Sequence, residues 1–192
     1  MPKVKSEIRK KVVRLSTAKR VGRDTAVLRL ARSGHLQKLR PGVYRNASRS
    51  IWIHQDLVDA CLAVPEGVIC LISALSDRGL TTTIPNETWI AIPKTTWVPR
   101  LAFAARFLRL GEVAHAAGIE TIKINGTKVR IYSKAKCVCD ALRFRDKVGF
   151  DVAFEALKTF LRQGGRPDEL IQWETVCRIK TTLRGYLLVL LA

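Results

Sequence analysis

Carboxylates are scarce at the start of the chain. Residues 1 to 50 hold only Glu7 and Asp24 against fifteen Lys or Arg, whereas residues 51 to 192 hold fourteen acidic and nineteen basic side chains. The net charge of +18 over 192 residues is therefore +13 in the first quarter and +5 in the remainder. Repulsion within so concentrated a charge disfavours the compact state, and a polyanionic partner relieves it. Long apolar runs are also missing: the longest, Tyr186 to Ala192, falls far short of the roughly 20 residues that cross a bilayer. MPKVKSEIRKK, at the N-terminus, lacks the apolar centre of a signal peptide. These absences predict a cytoplasmic protein with no membrane partner and make nucleic acid the expected polyanion.

Cysteine is present but unpatterned. Cys61, Cys70, Cys137, Cys139 and Cys177 form an odd count at irregular spacing, which suits reduced, mostly buried thiols better than a disulfide framework. Cys137-Val-Cys139 has no CxxC pair or HxxxH beside it, and positions i and i+2 of a helix point to different sides, so core packing is expected and no metal. Catalytic groups are equally thin. His35, His54 and His115 are not paired in sequence with a nucleophile, no Walker A or GxGxxG glycine pattern occurs, and no ExK-type acidic cluster follows residue 150. Asp140 and Asp146 lie beside Arg143, Arg145 and Lys147 and read as ion-paired surface or helix-end carboxylates rather than metal ligands. No enzyme activity and no cofactor are expected.

What is present in the first quarter is a pattern of short helices and a basic hairpin. Ser6 is placed to cap a helix running to about Arg14, Thr17 to open a very short helix ending at Gly22, and Asp24 to cap a third whose left-handed end is Gly34. On that third helix Val27, Leu28 and Ala31 are expected to face a core, leaving Thr25, Arg29 and Arg32 as a polar stripe. RSGHLQKLRPGVYR then carries four Lys or Arg around Pro41-Gly42, the residue order of a type II turn. Pairing about that turn puts Leu39 and Tyr44 on a packed face and Lys38, Arg40 and Arg45 on a cationic one. Helix, short helix, striped helix and basic hairpin predict a winged helix-turn-helix over residues 1–48, its third helix in a DNA major groove and its wing along phosphate. The expected DNA-binding set is Lys19, Arg20, Arg23, Thr25, Arg29, Arg32, Lys38, Arg40 and Arg45.

Residues 49–192 read as a mixed α/β C-terminal domain, a small sheet flanked by helices, so the fold class is α+β. Helices are expected over 51–63 and 68–78, strands over 88–92 and 107–110, and loop over 97–101. IKINGTKVRIY predicts a type I′ hairpin at Asn125-Gly126 that pairs Ile122 with Val129. Ser133 is placed to cap a helix to about Lys147, and Asp151 another to Arg162, with one or two helices after Pro167. Trp89, Trp97 and Trp173 are expected to pack inside or between domains, and Arg143, Arg145, Lys147, Arg162 and Arg166 to form either a second basic face or an ordinary solvated surface.

Four stretches, SGHLQKLRPGVYR, VICLISALSDRGLTT, WIAIP and VRIYSKAKCVCDALRFRDKVGFDVAFEAL, taken in order along roughly residues 15 to 190, resemble the AbiEi family, the antitoxins of bacterial type IV toxin-antitoxin systems. The resemblance implies a winged helix-turn-helix joined to a C-terminal antitoxin domain. It also implies repression of the protein's own operon through repeats in double-stranded promoter DNA, and a functional partner in an AbiEii-like nucleotidyltransferase toxin. A winged-helix regulator without a toxin, or an RNA-binding protein, are the alternatives to be weighed against it.

Overall fold

Val12 and Val13 open the described part of the chain, and they form a strand where the sequence suggested the end of a helix. The computed structural model describes residues 12–47 and 54–191; the beginning of the expected first helix, residues 6–11, and positions 48–53 lie outside it. Strand β1 (Val12–Arg14) pairs antiparallel with β3 (Val43–Asn46), which pairs with β2 (Leu36–Arg40), giving the order β1-β3-β2. Two β-branched residues favour the extended form, and the outer edge of β3 supplies the backbone partners that a helix would have found within itself.

Between β1 and β2 lie α1 (Leu15–Arg20) and α2 (Asp24–Arg32). The residues joining them, 21–23, include Gly22 at φ 65°, a backbone angle glycine adopts without a side-chain clash. Gly34, after α2, sits at φ 78° as the left-handed cap position requires. Val27 and Leu30 are the buried residues of α2, and Leu28 is exposed. This corrects the expected core face, because Leu30 lies three residues from Val27 on the same side of the helix while Leu28 turns toward Thr25 and Arg32.

The hairpin is bulged. Lys38 lies opposite Tyr44 and Arg40 opposite Val43, so the register shifts at Leu39. Val13, Leu36 and Tyr44 pack with Ala18, Val27 and Leu30 in a small N-terminal core, whereas Leu39 and Val43 enter the main core of the molecule. The expected division into one packed face and one cationic face is therefore corrected: both faces of this sheet are covered. Gly42 at φ 76° makes the turn, and its carbonyl accepts a bond of 2.7 Å from the Leu15 amide at the start of α1.

The rest of the chain is α3 (Gln55–Ala63), β4 (Val68–Ile69), α4 (Leu71–Asp77), β5 (Thr88–Pro93), β6 (Ala105–Leu110), α5 (Glu112–Ala116), β7 (Ile119–Ile124), β8 (Thr127–Tyr132), α6 (Lys134–Arg143), α7 (Arg145–Val148), α8 (Phe150–Arg162), α9 (Pro167–Ile171) and α10 (Lys180–Leu191). The five strands are ordered β6-β5-β4-β8-β7; β5 runs parallel to β6 and β4 parallel to β8, while β4/β5 and β7/β8 are antiparallel. The architecture is thus mixed α and β with two sheets. The β7–β8 hairpin has Ile122 opposite Val129, and Asn125 and Gly126 both at positive φ (51° and 69°), as a type I′ turn demands. Val68 and Ile69, expected to begin a helix, are instead a fully buried central strand. Helix α4 starts only after Cys70, which is extended, and its first residue, Leu71, has φ 45°. The helix expected from Ser133 to Lys147 is divided at Phe144 into α6 and α7.

Helix α6 is enclosed. Ala135 through Leu142 are all buried, with α4, α8, α9 and α10 packed around it. A helix covered on every side has no solvent face on which to place its polar residues, yet Lys136 and Asp140 occupy it. Nζ of Lys136 lies 2.5 Å from Oδ2 of Asp140, over the Tyr132 ring at 4.4 Å, and Cys177 Sγ donates to Asp140 Oδ1 at 3.3 Å. Asp140 is thus a core carboxylate, which corrects the surface ion pair expected from its basic neighbours. Four cysteines are buried and Cys61 half-buried, all as free thiols.

Candidate nucleic-acid interface

The described N-terminal residues, 12–47, carry nine Lys or Arg and the single carboxylate Asp24. Asp24 opens α2, where a negative charge suits the positive end of the helix dipole, and Arg29 and Arg32 fall in its last turn, where cations suit the negative end. The same spacing that buries Val27 and Leu30 turns Thr25, Leu28, Arg29 and Arg32 outward as one exposed stripe at i, i+3, i+4 and i+7. Leu28 is the member that sequence reasoning missed. Its signal was available in the spacing, since it lies three residues after Thr25 and four before Arg32.

Each other expected contact residue can be placed. Lys19 and Arg20 are exposed at the end of α1, and Arg23 is half-buried in the turn before α2. Lys38 is exposed on β2; Arg40, at the hairpin turn, is half-buried with its Nε enclosed. Arg45 does not join them. Its side chain is 11% exposed and its Nε lies 3.0 Å from Oδ2 of Asp59 on α3, so the register of β3 turns it inward, toward the body. Burial raises the Asp59 carboxyl above its ordinary range, with Gln55 and Arg45 opposing the shift. Arg14, expected at a helix end, is instead an exposed cation on β1.

The second expected basic set is held locally. Arg143 lies over the Phe144 ring at 5.0 Å, Arg145 donates to the Leu142 carbonyl at 3.1 Å, Arg162 to Thr159 Oγ1 at 2.9 Å, and Arg166 pairs with Asp168 at 2.8 Å. Lys147 alone of the five has no such contact among the described residues. Of the tryptophans, Trp89 is buried beneath the Arg106 guanidinium at 4.9 Å and Trp173 is half-buried. Trp97 is 85% exposed, which corrects its expected packing role: the loop over residues 97–101 holds it clear of both cores.

No helix among the described residues is long and apolar enough to cross a membrane. Nor is any group of three His, Cys, Asp or Glu among them placed to hold a metal ion. No known family model matches the chain, and no characterised protein matches it in sequence.

Proposed function

We propose that the chain is a DNA-binding antitoxin which represses its own operon, with a winged helix-turn-helix over residues 1–48 ahead of an antitoxin domain over 49–192. The observation that carries the DNA reading is the exposed Thr25, Leu28, Arg29, Arg32 stripe. It lies on the second of two helices joined by three residues that include a glycine, beside a small antiparallel sheet, in a unit rich in cations. In a major groove Arg29 and Arg32 would meet guanine O6 and N7, Thr25 a polar base edge and Leu28 a thymine methyl. Lys19, Arg20, Arg23, Lys38 and Arg14 would lie along phosphate. Repression follows if such a complex occupies a promoter. Neutralisation of an AbiEii-like nucleotidyltransferase toxin in the bacterial cytoplasm rests on the family resemblance carried by the four sequence stretches.

Two tests address the two arms. Arg29→Ala and Arg32→Ala should each reduce discrimination between promoter and random duplex by about 1 to 3 kcal/mol, the range for a bidentate base contact. Lys38→Ala should weaken both duplexes alike. Competition binding of the full chain measures this, and the reverse pattern would give base reading to the hairpin. For the antitoxin arm, the gene adjacent in the operon should encode a nucleotidyltransferase whose toxicity the chain relieves in cells. A neighbour of unrelated chemistry would leave a plain regulator.

A further inference from the structure

The parallel strands β5 and β6 end side by side, Pro93 opposite Leu110, and the chain beyond each end turns around a cleft of about 550 Å³. Four cations from four separated parts of the sequence line it: Lys94 after β5, Arg109 near the end of β6, Arg143 at the end of α6 and Arg178 in the turn before α10. Glu112 is the only carboxylate in the lining, so the net charge of the wall is +3. Among the described residues none of these cations forms an ion pair. Two are instead held by uncharged groups: Arg109 reaches the Lys94 carbonyl at 3.5 Å, and Arg143 stacks on Phe144. Arg178 has its backbone at φ 54°, a region costly for a residue with a side chain, and its amide is bonded to the Thr175 carbonyl. Such convergence is unfavourable for an empty protein and favourable for one that receives an anion.

We infer that this cleft, at the carboxyl ends of β5 and β6, binds the polyphosphate chain of a free nucleotide through Lys94, Arg109, Arg143 and Arg178. The volume is that of a small-molecule site, and the cleft lies outside the carboxyl ends of two parallel strands, where open α/β sheets bind their ligands. Three or four negative charges on one compact ligand match a wall of +3, whereas nucleic acid spreads single charges along an extended surface. Leu110, Val113 and Val176 give the same cleft an apolar side for the nucleoside.

The site is separate from the proposed DNA-reading helix, so the two claims fail independently. Isothermal titration of the full chain with inorganic triphosphate, ATP, and short single- and double-stranded DNA tests the inference. Triphosphate and ATP should bind at one site per chain. Arg109→Gln and Arg178→Gln should each weaken them about tenfold or more, through loss of a charge-assisted bond. Lys128→Gln, at an exposed position outside the cleft, and Arg29→Ala should leave them unchanged. Thermal melting of each variant verifies its fold, and Arg109→Lys, which keeps the charge, should retain part of the affinity. Absence of triphosphate and ATP binding, binding indifferent to Arg109 and Arg178, or an effect of these variants on DNA alone would each overturn the assignment.

Discussion

Replacing Lys136 with alanine should lower the stability of the full chain by about 3 to 5 kcal/mol in urea denaturation at neutral pH. The reason lies with the partner left behind. Asp140 is almost wholly buried in α6, and without the Lys136 ammonium its charge keeps the weak Cys177 donor and the more distant Arg143 charge. Burial already holds this carboxyl above its ordinary value of 3.8, with Lys136 opposing the shift. A carboxyl raised in the folded state favours folding most when protonated. The deficit of Lys136→Ala should therefore be full above the folded pKa and shrink as pH falls toward 3.8. Lys136→Met combined with Asp140→Leu should recover most of the loss, because removing both charges also removes their desolvation cost. If the double variant were no more stable than Lys136→Ala, packing rather than charge would set the cost.

Affinity for promoter DNA should fall about a thousandfold between about 50 and about 200 mM salt. The proposed phosphate contacts are Arg14, Lys19, Arg20, Arg23 and Lys38. If each displaces one condensed counterion, the log–log slope is about −5. Arg45 separates this account from one based on total charge. Its guanidinium is committed to Asp59, so Arg45→Gln should destabilise the fold while leaving the slope unchanged, whereas Lys19→Gln should flatten the slope by about one. A salt-independent affinity would remove the electrostatic basis of the proposed function.

Elements whose pattern is local were readable from the sequence. Asn125-Gly126 set between alternating residues fixes its own turn and register, and Gly22, Gly34 and Gly42 mark positions that need positive φ. Elements decided by distant partners were not. Val12–Arg14 is a strand only because β3, some thirty residues later, offers an edge, and Val68–Ile69 because β5 and β8 flank it. Beside the bulge at Leu39 both faces of the hairpin are covered where one was expected to stay cationic, and Arg45 turns inward to Asp59. In the proposed interface, the polar stripe of α2 was visible in its spacing, while Leu28 was assigned to the wrong side. The cationic cleft was beyond reach of sequence reading, since Lys94, Arg109, Arg143 and Arg178 share no motif and meet only through the order of strands and helices.

The double duty of the hairpin sheet limits how freely its unit can be inherited. Leu39 and Val43 fill space in the main core, the Leu39 carbonyl accepts the Ala102 amide at 2.8 Å, and Arg45 neutralises Asp59 on α3. A fragment beginning near residue 51 would keep the five-stranded sheet but open an apolar floor and strand the buried Asp59 carboxylate, so the two parts are less separable than the charge boundary suggests. Recombination that exchanged this N-terminal unit for another of different sequence preference would have to bring matching side chains at the Leu39, Val43 and Arg45 positions. New specificity is therefore more accessible through point changes at Thr25, Leu28, Arg29 and Arg32, whose outward side is exposed and makes no bond to the body of the protein among the described residues, than through exchange of modules.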